Sequence, residues 1–263
     1  MRLYLASRSP RRRELLHQIG IDFDTVVFRD GMGADLETDE TPLVNEDPVV
    51  YVERIARAKA LHGLKIVEER RLPMRPVLSA DTTLEFEGEI IGKPTDMADA
   101  TRILKRLSGQ THRVLTGVAI NHLGHIEYLL STSEVSFRVI DDEEIRHYVM
   151  SGEPMDKAGA YGIQGRAGMF VAHLAGSYTG VMGLPVCETG ELLKRVEAES
   201  ANPLGDVMWG GTLSVLDPSK KFFEVYHSPE EAAFYQDVKV PDGKVTPFTQ
   251  IPSVLMVNTK LIG

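Results

Sequence analysis

Leu3-Tyr4-Leu5-Ala6-Ser7-Arg8-Ser9-Pro10-Arg11-Arg12-Arg13-Glu14-Leu15-Leu16 decides how this chain folds. Its opening apolar run reads as a buried strand. Ser9 offers a side-chain oxygen at an N-cap, and Pro10 follows at the first helical position, where a missing N–H costs nothing. Leu15, Leu16 and Ile19 then form a helical apolar face that Gly20 ends. The stretch is therefore strand, tight turn, helix, with three arginines in the first helical turn. A helix N-terminus already carries free N–H groups and partial positive charge, so cations there call for an anion. Arginine forks match phosphate, and Ser7 and Ser9 add hydroxyls. Two readings follow: a polyphosphate site, or a solvated basic helix start. Three successive helical residues span about 200°, so the arginines do not all face one ligand.

The chain has 263 residues and a formal net charge of −9. That length supports a sizeable core, in one large or two small domains. The acidic balance argues against bulk binding to nucleic acid or to a membrane surface, while leaving room for a local basic pocket. A single cysteine, Cys187, excludes an internal disulfide and fits a reducing compartment. No apolar run approaches the ~20 residues of a membrane span, and the N-terminus reads as a strand, not a leader. A cytoplasmic protein without a membrane partner is expected.

Outward from the opening stretch, residues 29–48 are rich in Asp, Glu, Gly and Pro and read as a loop. Asp47 and Pro48 start a helix as N-cap and N1. Val52, Ile55 and Ala56 make its apolar face. Lys59 extends that face, either snorkelling at the core edge or projecting an ammonium into a cleft. Pro76–Asp81 reads as a buried strand ending in an aspartate. In an α/β sheet such a residue caps a turn or meets a ligand beyond the strand end. Leu84 to Ile91 alternate around Glu87-Gly88, a hairpin that delivers Lys93 between Gly92 and Pro94. A helix with Ala100, Ile103, Leu104 and Leu107 on one face ends at Ser108-Gly109.

Strands follow at 114–120, 126–130 and 132–139, and Asp141 with Glu144 makes a capping box. His112 and His147 stand alone, without metal-ligand spacing. In Asp156-Lys157-Ala158-Gly159-Ala160-Tyr161-Gly162-Ile163-Gln164-Gly165, small residues surround one Tyr and one Gln. Small residues admit a ligand close to the backbone, and a Gln amide can pair with a base edge. The other reading is a glycine-rich turn packed on the sheet. A strand at 170–174 and a helix from about 186 to 196 close the patterned region. The alternation of strands and helices indicates an α/β fold. Beyond it, 6 of the 14 prolines interrupt a segment that also carries Phe222, Phe223, Tyr226, Phe234 and Tyr235. Long regular elements are not expected there, yet it is too apolar for plain disorder.

Ser7-x-Ser9-Pro10-Arg11-Arg12 after an N-terminal strand resembles the signature of the Maf family of nucleoside triphosphate pyrophosphatases. The likeness continues in Ile55-Ala56-Arg57-Ala58-Lys59-Ala60, in Ala80-Asp81-Thr82 and in Gly92-Lys93-Pro94. The decamer at 156–165 resembles the subgroup acting on dTTP and UTP. The resemblance covers residues 1–197, a nucleotide pyrophosphatase domain, and leaves 198–263 as a C-terminal extension of unassigned role. It implies an elongated mixed β-sheet flanked by helices, in two lobes with a central cleft, of the Maf and inosine triphosphatase type. It also implies hydrolysis of a nucleoside triphosphate between the α and β phosphates, a house-cleaning activity on dTTP, UTP or modified pyrimidine nucleotides.

The resemblance also assigns residues. Asp81 is the key catalytic aspartate, as general base or as holder of the metal. Lys59, Lys93 and Arg12 serve the phosphates. Ser7, Ser9, Arg11, Thr82 and Gln164 contact substrate. The metal, Mg²⁺ or Mn²⁺, falls to Asp81 with Asp39 or Glu40, from Glu37-Thr38-Asp39-Glu40-Thr41-Pro42; Asp39 is the better match. Members often form homodimers. The competing readings are a low-turnover nucleotide-binding regulator of cell division, against which Asp81 argues, and a nucleic-acid module built on Arg11–Arg13, against which the net charge argues.

Overall fold

The computed structural model describes residues 2–26 and 38–201. In chain order these form β1 (Arg2–Leu5), α1 (Pro10–Gln18), β2 (Asp22–Thr25), α2 (Pro48–Glu69), β3 (Val77–Phe86), β4 (Glu89–Ile91) and α3 (Met97–Leu107). Then come β5 (Thr111–His122), β6 (His125–Phe137), α4 (Asp142–Met150), β7 (Val171–Ala175), α5 (Tyr178–Met182) and α6 (Val186–Ala201). The expected extension at 198–263 lies, beyond Ala201, outside the described residues, as do Glu37 and most of the acidic loop.

The described strands make one mixed sheet in the order β2-β1-β3-β5-β6-β7, with β4 also pairing β3. β1 runs parallel to β2 and β3, and the remaining pairs are antiparallel. This is the mixed sheet flanked by helices that the sequence implies. One edge of β3 is shared by two short partners. β1 covers Val77 and Leu78, and β4 covers Leu84 to Phe86. Between them, among the described residues, no strand covers residues 79–83. An uncovered edge exposes backbone polar groups, and the central residue of this gap is Asp81.

Strand alternation then sorts the side chains. Leu78 and Ala80, with Val118 and Ile120 of β5, join α1 and α6 in one core. Leu84 and Phe86, with Val114, join α3 and α4 in another. Thr82 and its register partner Thr116 interrupt this apolar face between the two cores. The opposite face of the sheet carries α2. Its stripe Ala56-Ala60-Gly63 is small, and a Cβ on Gly63 would stand 2.7 Å from Val77 Cγ1 and 2.8 Å from Ala6 Cβ. The helix therefore lies close on the sheet, and Ser79 Oγ donates to Ala56 O at 2.7 Å. Val52 and Ile55 are fully buried beneath it, each contributing about 1.5–3 kcal/mol.

Helix ends follow the sequence. Asp47 accepts from Val49 N and Val50 N, and Asp141 with Glu144 completes a capping box. The hairpin turns at Glu87-Gly88, both at positive φ. Four expectations are corrected. Ser9 is the N-cap of α1 but makes no side-chain capping bond; its own N–H donates to Ser7 Oγ. Ile19 is the C-cap and is exposed, off the apolar face. β3 does not end at Asp81 but runs on to Phe86, since Thr83 to Glu85 continue the ladder with β5. The strands expected at 126–130 and 132–139 are one strand, β6. Its polar centre stays in the ladder because Ser131 and Ser133 pair with Thr116 and Val114, and Ser133 Oγ accepts from Ser177 N at 2.9 Å.

Candidate active site

Asp81 and Thr82 are neighbours on β3, so their side chains leave the sheet on opposite faces. Asp81 turns toward α2. Its Oδ1 accepts from Lys59 Nζ at 2.7 Å, and the same ammonium lies 2.7 Å from Glu40 Oε1. The Asp81 side chain is nearly buried, and Thr83 Oγ1 donates to its Oδ2 at 3.4 Å. Glu40 is brought in by the segment before α2, where Tyr51 O–H donates to the Glu40 carbonyl at 2.9 Å. Burial and the charges of Asp81 and Glu40 push the Tyr51 phenol well above its ordinary value, so it stays a donor.

Thr82 turns toward α1. There Arg12 reaches three segments at once. Its Nε donates to Gly183 O at 2.7 Å, Nη1 to Ser7 Oγ at 3.2 Å and Nη2 to Thr82 Oγ1 at 3.3 Å. Thr116 Oγ1 also donates to Thr82 Oγ1, at 3.0 Å. Burial pulls the Arg12 guanidinium below its ordinary value, opposed by the charges of Asp81 and Glu40. Ser7 is buried beside Arg12, and Ser9 stands at the start of α1.

The decamer forms tight turns rather than a regular element. Gly159 sits at φ 72°, and a Cβ there would collide with Leu84, so glycine lets this segment close on β3. Gly159 N donates to Gly92 O at 3.0 Å, which joins the decamer to the turn carrying Lys93. Lys93 is exposed there, at the rim of a hollow of about 190 Å³ shared with Ile91, Asp99, Arg102 and Arg106. Arg11 leans to the decamer from the other side, its Nη2 3.9 Å from Asp156 Oδ2. Gln164 is exposed at the tip of the turn.

Lys59, Asp81 and Glu40 are in contact, and Arg12, Ser7 and Thr82 are in contact. Asp39 is not brought to them. Its Oδ1 accepts from Thr41 N at 2.9 Å, and the Thr41 hydroxyl and amide hold its carboxyl below the ordinary value. Glu40, the second choice of the sequence reading, is the carboxylate that meets Lys59. Two carboxylates converging on one cation suit a hard divalent ion, which prefers oxygen. Among the described residues no set of three or more His, Cys, Asp or Glu could hold a metal. Such an ion on Asp81 and Glu40 would therefore complete its shell with substrate phosphate and water, as Mg²⁺ commonly does.

Two residues of the site, Tyr51 and Tyr128, carry no motif in the sequence. Tyr51 stands on α2 and is tied to the site only by its hydroxyl bond to the Glu40 carbonyl. Tyr128 carries a buried hydroxyl with no hydrogen-bond partner among the described residues. It lies over Gly117, the register partner of Asp81, where a Cβ would stand 2.9 Å from the Tyr128 hydroxyl. His112 is buried, its Nε2 2.8 Å from the Tyr161 hydroxyl, so it anchors the decamer rather than a metal.

A family model described as Maf-like protein matches residues 2–196. A dTTP/UTP pyrophosphatase of Dechloromonas aromatica is 87% identical over 196 residues, covering 74% of this chain and 98% of that protein. A dTTP/UTP pyrophosphatase of Aromatoleum aromaticum is 59% identical over 194 residues, covering 73% and 94%. Among solved structures, the Staphylococcus aureus Ham1 protein is similar at 15% identity and a TM-score of 0.36, covering 52% of this chain and 72% of that one.

Proposed function

The chain belongs to the Maf family, and from that premise we propose that it is a dTTP/UTP pyrophosphatase. It hydrolyses the α–β anhydride of a pyrimidine nucleoside triphosphate to the monophosphate and pyrophosphate, a house-cleaning reaction on dTTP, UTP and modified pyrimidine nucleotides. The observation that carries this reading is Asp81. It is a nearly buried carboxylate on an edge of β3 that no strand covers among the described residues, paired to Lys59 and next along the strand to Thr82, which Arg12 contacts.

The triphosphate lies along this edge. Lys59, Lys93 and Arg11 balance its charge, with the first-turn N–H groups of α1 and the hydroxyls of Ser7 and Ser9 as donors. Arg12 holds Ser7 and Thr82 in place while adding its own charge. Asp81 and Glu40 would hold a divalent ion, Mg²⁺ or Mn²⁺, which would supply Lewis-acid stabilisation of the phosphates. Asp81 acts on the attacking water, as its proton acceptor or as the anchor of the metal. Thr82 and Gln164 read the pyrimidine.

The pyrophosphatase chemistry belongs to residues 1–197, with 198–263 appended to it. No helix among the described residues is long and apolar enough to cross a membrane. A cytoplasmic location and a homodimer complete the proposal. The test is pyrophosphate release from a panel of nucleoside triphosphates with Mg²⁺ or Mn²⁺. Selective turnover of dTTP and UTP is expected. No release from any nucleotide by folded protein would overturn the reading.

A further inference from the structure

We propose that Glu153 is a positioning residue for base recognition: its carboxylate fixes both feet of the turn that presents Gln164. Gly165 N donates to Gly162 O at 2.9 Å, which closes a four-residue turn with Ile163 and Gln164 at its tip. The first foot is held through a relay. Gly162 N donates to the Tyr148 hydroxyl at 3.3 Å, and that hydroxyl donates to Glu153 Oε1 at 3.1 Å. The second foot is held directly, since Arg166 N donates to Glu153 Oε2 at 3.3 Å. One carboxylate therefore uses both oxygens on the two ends of one turn.

The surrounding residues are fitted to this arrangement. A Cβ on Gly165 would collide with the Glu153 carboxylate, so glycine is needed there for the carboxylate to reach the turn. Gly152, at φ 74°, redirects the chain after α4 so that Glu153 points back toward Tyr148. Lys157 Nζ donates to the Glu153 carbonyl at 2.5 Å and closes the back of the loop. Tyr148 is itself fixed, its ring packed edge-on against Phe170 at 5.2 Å between centroids. Gln164, by contrast, is exposed and has no hydrogen-bond partner among the described residues. Its amide is free for a ligand while its backbone is held.

A turn held at both ends presents its amide with little entropy left to lose on binding. Released, it would order only when the nucleotide binds. That cost falls on affinity and on the difference between bases, not on chemistry at Asp81. This inference rests on the proposed pyrophosphatase reaction and on Gln164 as a base-reading residue.

The experiment measures kcat and KM for dTTP, UTP and GTP with the full chain, comparing wild type with Glu153→Ala, Glu153→Gln, Tyr148→Phe and Gln164→Ala. Glu153→Ala is expected to raise KM for dTTP about tenfold, with kcat held within twofold and preference over GTP reduced. Glu153→Gln keeps one acceptor and should fall between Glu153→Ala and wild type. Tyr148→Phe keeps the ring and removes only the relay, so it should raise KM about threefold even if Glu153→Ala fails to fold. A fall in kcat with KM and base preference unchanged would overturn the proposal. Unchanged kinetics in the Glu153 and Tyr148 variants, with preference lost in Gln164→Ala, would overturn it while leaving the reaction standing. Absence of turnover in the wild type would instead remove the reaction on which it rests.

Discussion

Lys59 Nζ of α2 stands 2.7 Å from Asp81 Oδ1 of β3, and the pair lies on the α2 face of that strand, at the stretch that neither β1 nor β4 covers. Both side chains are largely buried, so neither charge is well solvated alone, and each needs the other or a ligand. Glu40 shares the ammonium at the same distance. When one carboxylate is removed, the other still pairs with Lys59, which separates loss of chemistry from loss of fold.

Asp81→Asn preserves shape and deletes the charge. Turnover of dTTP should fall at least 100-fold, while Lys59 remains paired with Glu40 and the fold persists. Pyrophosphate release beside a thermal melt checks this, and near-normal turnover would remove Asp81 from its role.

Glu40 and Asp39 are adjacent in sequence and separate in space. Glu40→Gln should cut turnover about tenfold or more, because it strips one of the two carboxylates at Lys59. Asp39→Asn should change turnover less than twofold, since among the described residues its carboxylate accepts from Thr41 and not from Lys59. Equal effects from the two would show that Glu40 has no special place.

His112 gives a pH dependence of stability. Burial lowers its pKa to about 4, against a small opposing effect of Glu85. The unfolded chain takes up this proton near pH 6.5 while the folded chain refuses it. Stability is therefore full above pH 6.5 and lost as the pH falls toward 4, by on the order of 3 kcal/mol in all. Urea melts between pH 7 and 5 should show the decline. His112→Gln, which can still bond the Tyr161 hydroxyl, should flatten it.

The Tyr128 hydroxyl is buried without a partner among the described residues, a penalty of roughly 1–3 kcal/mol if nothing meets it. Tyr128→Phe keeps the ring, and with it the stacking of Arg57 at 5.3 Å. The variant should melt higher than wild type by a few degrees. A lower melting temperature would mean that the hydroxyl is bonded in solution.

Local order was legible from residue type and spacing alone. Asp47-Pro48, Asp141 with Glu144, Glu87-Gly88 and the α3 stripe each announce a structure that neighbouring atoms decide, and each forms as read. The α/β class and the mixed sheet also followed, the first from alternation and the second from family likeness. One further signal stands in the sequence. The face Leu78, Ala80, Leu84 and Phe86 is apolar except at Thr82, and that single break marks the polar layer between the two cores.

What spacing could not carry was position across the sheet. Asp81 reads as the end of a strand, yet it lies inside β3, beside an edge that neither β1 nor β4 is long enough to cover. Nothing local distinguishes Glu40 from Asp39. The choice is made by Tyr51, eleven residues along the chain, and by a helix brought close through Gly63. Glu153 was invisible for the same reason, since its carboxylate matters only where the chain returns at Gly162 and Arg166. Helix starts and turns depend on contacts within a few residues, so sequence determined them. The reach of a carboxylate to an ammonium or a peptide N–H depends on which strands and helices lie side by side, and only the tertiary structure decided that.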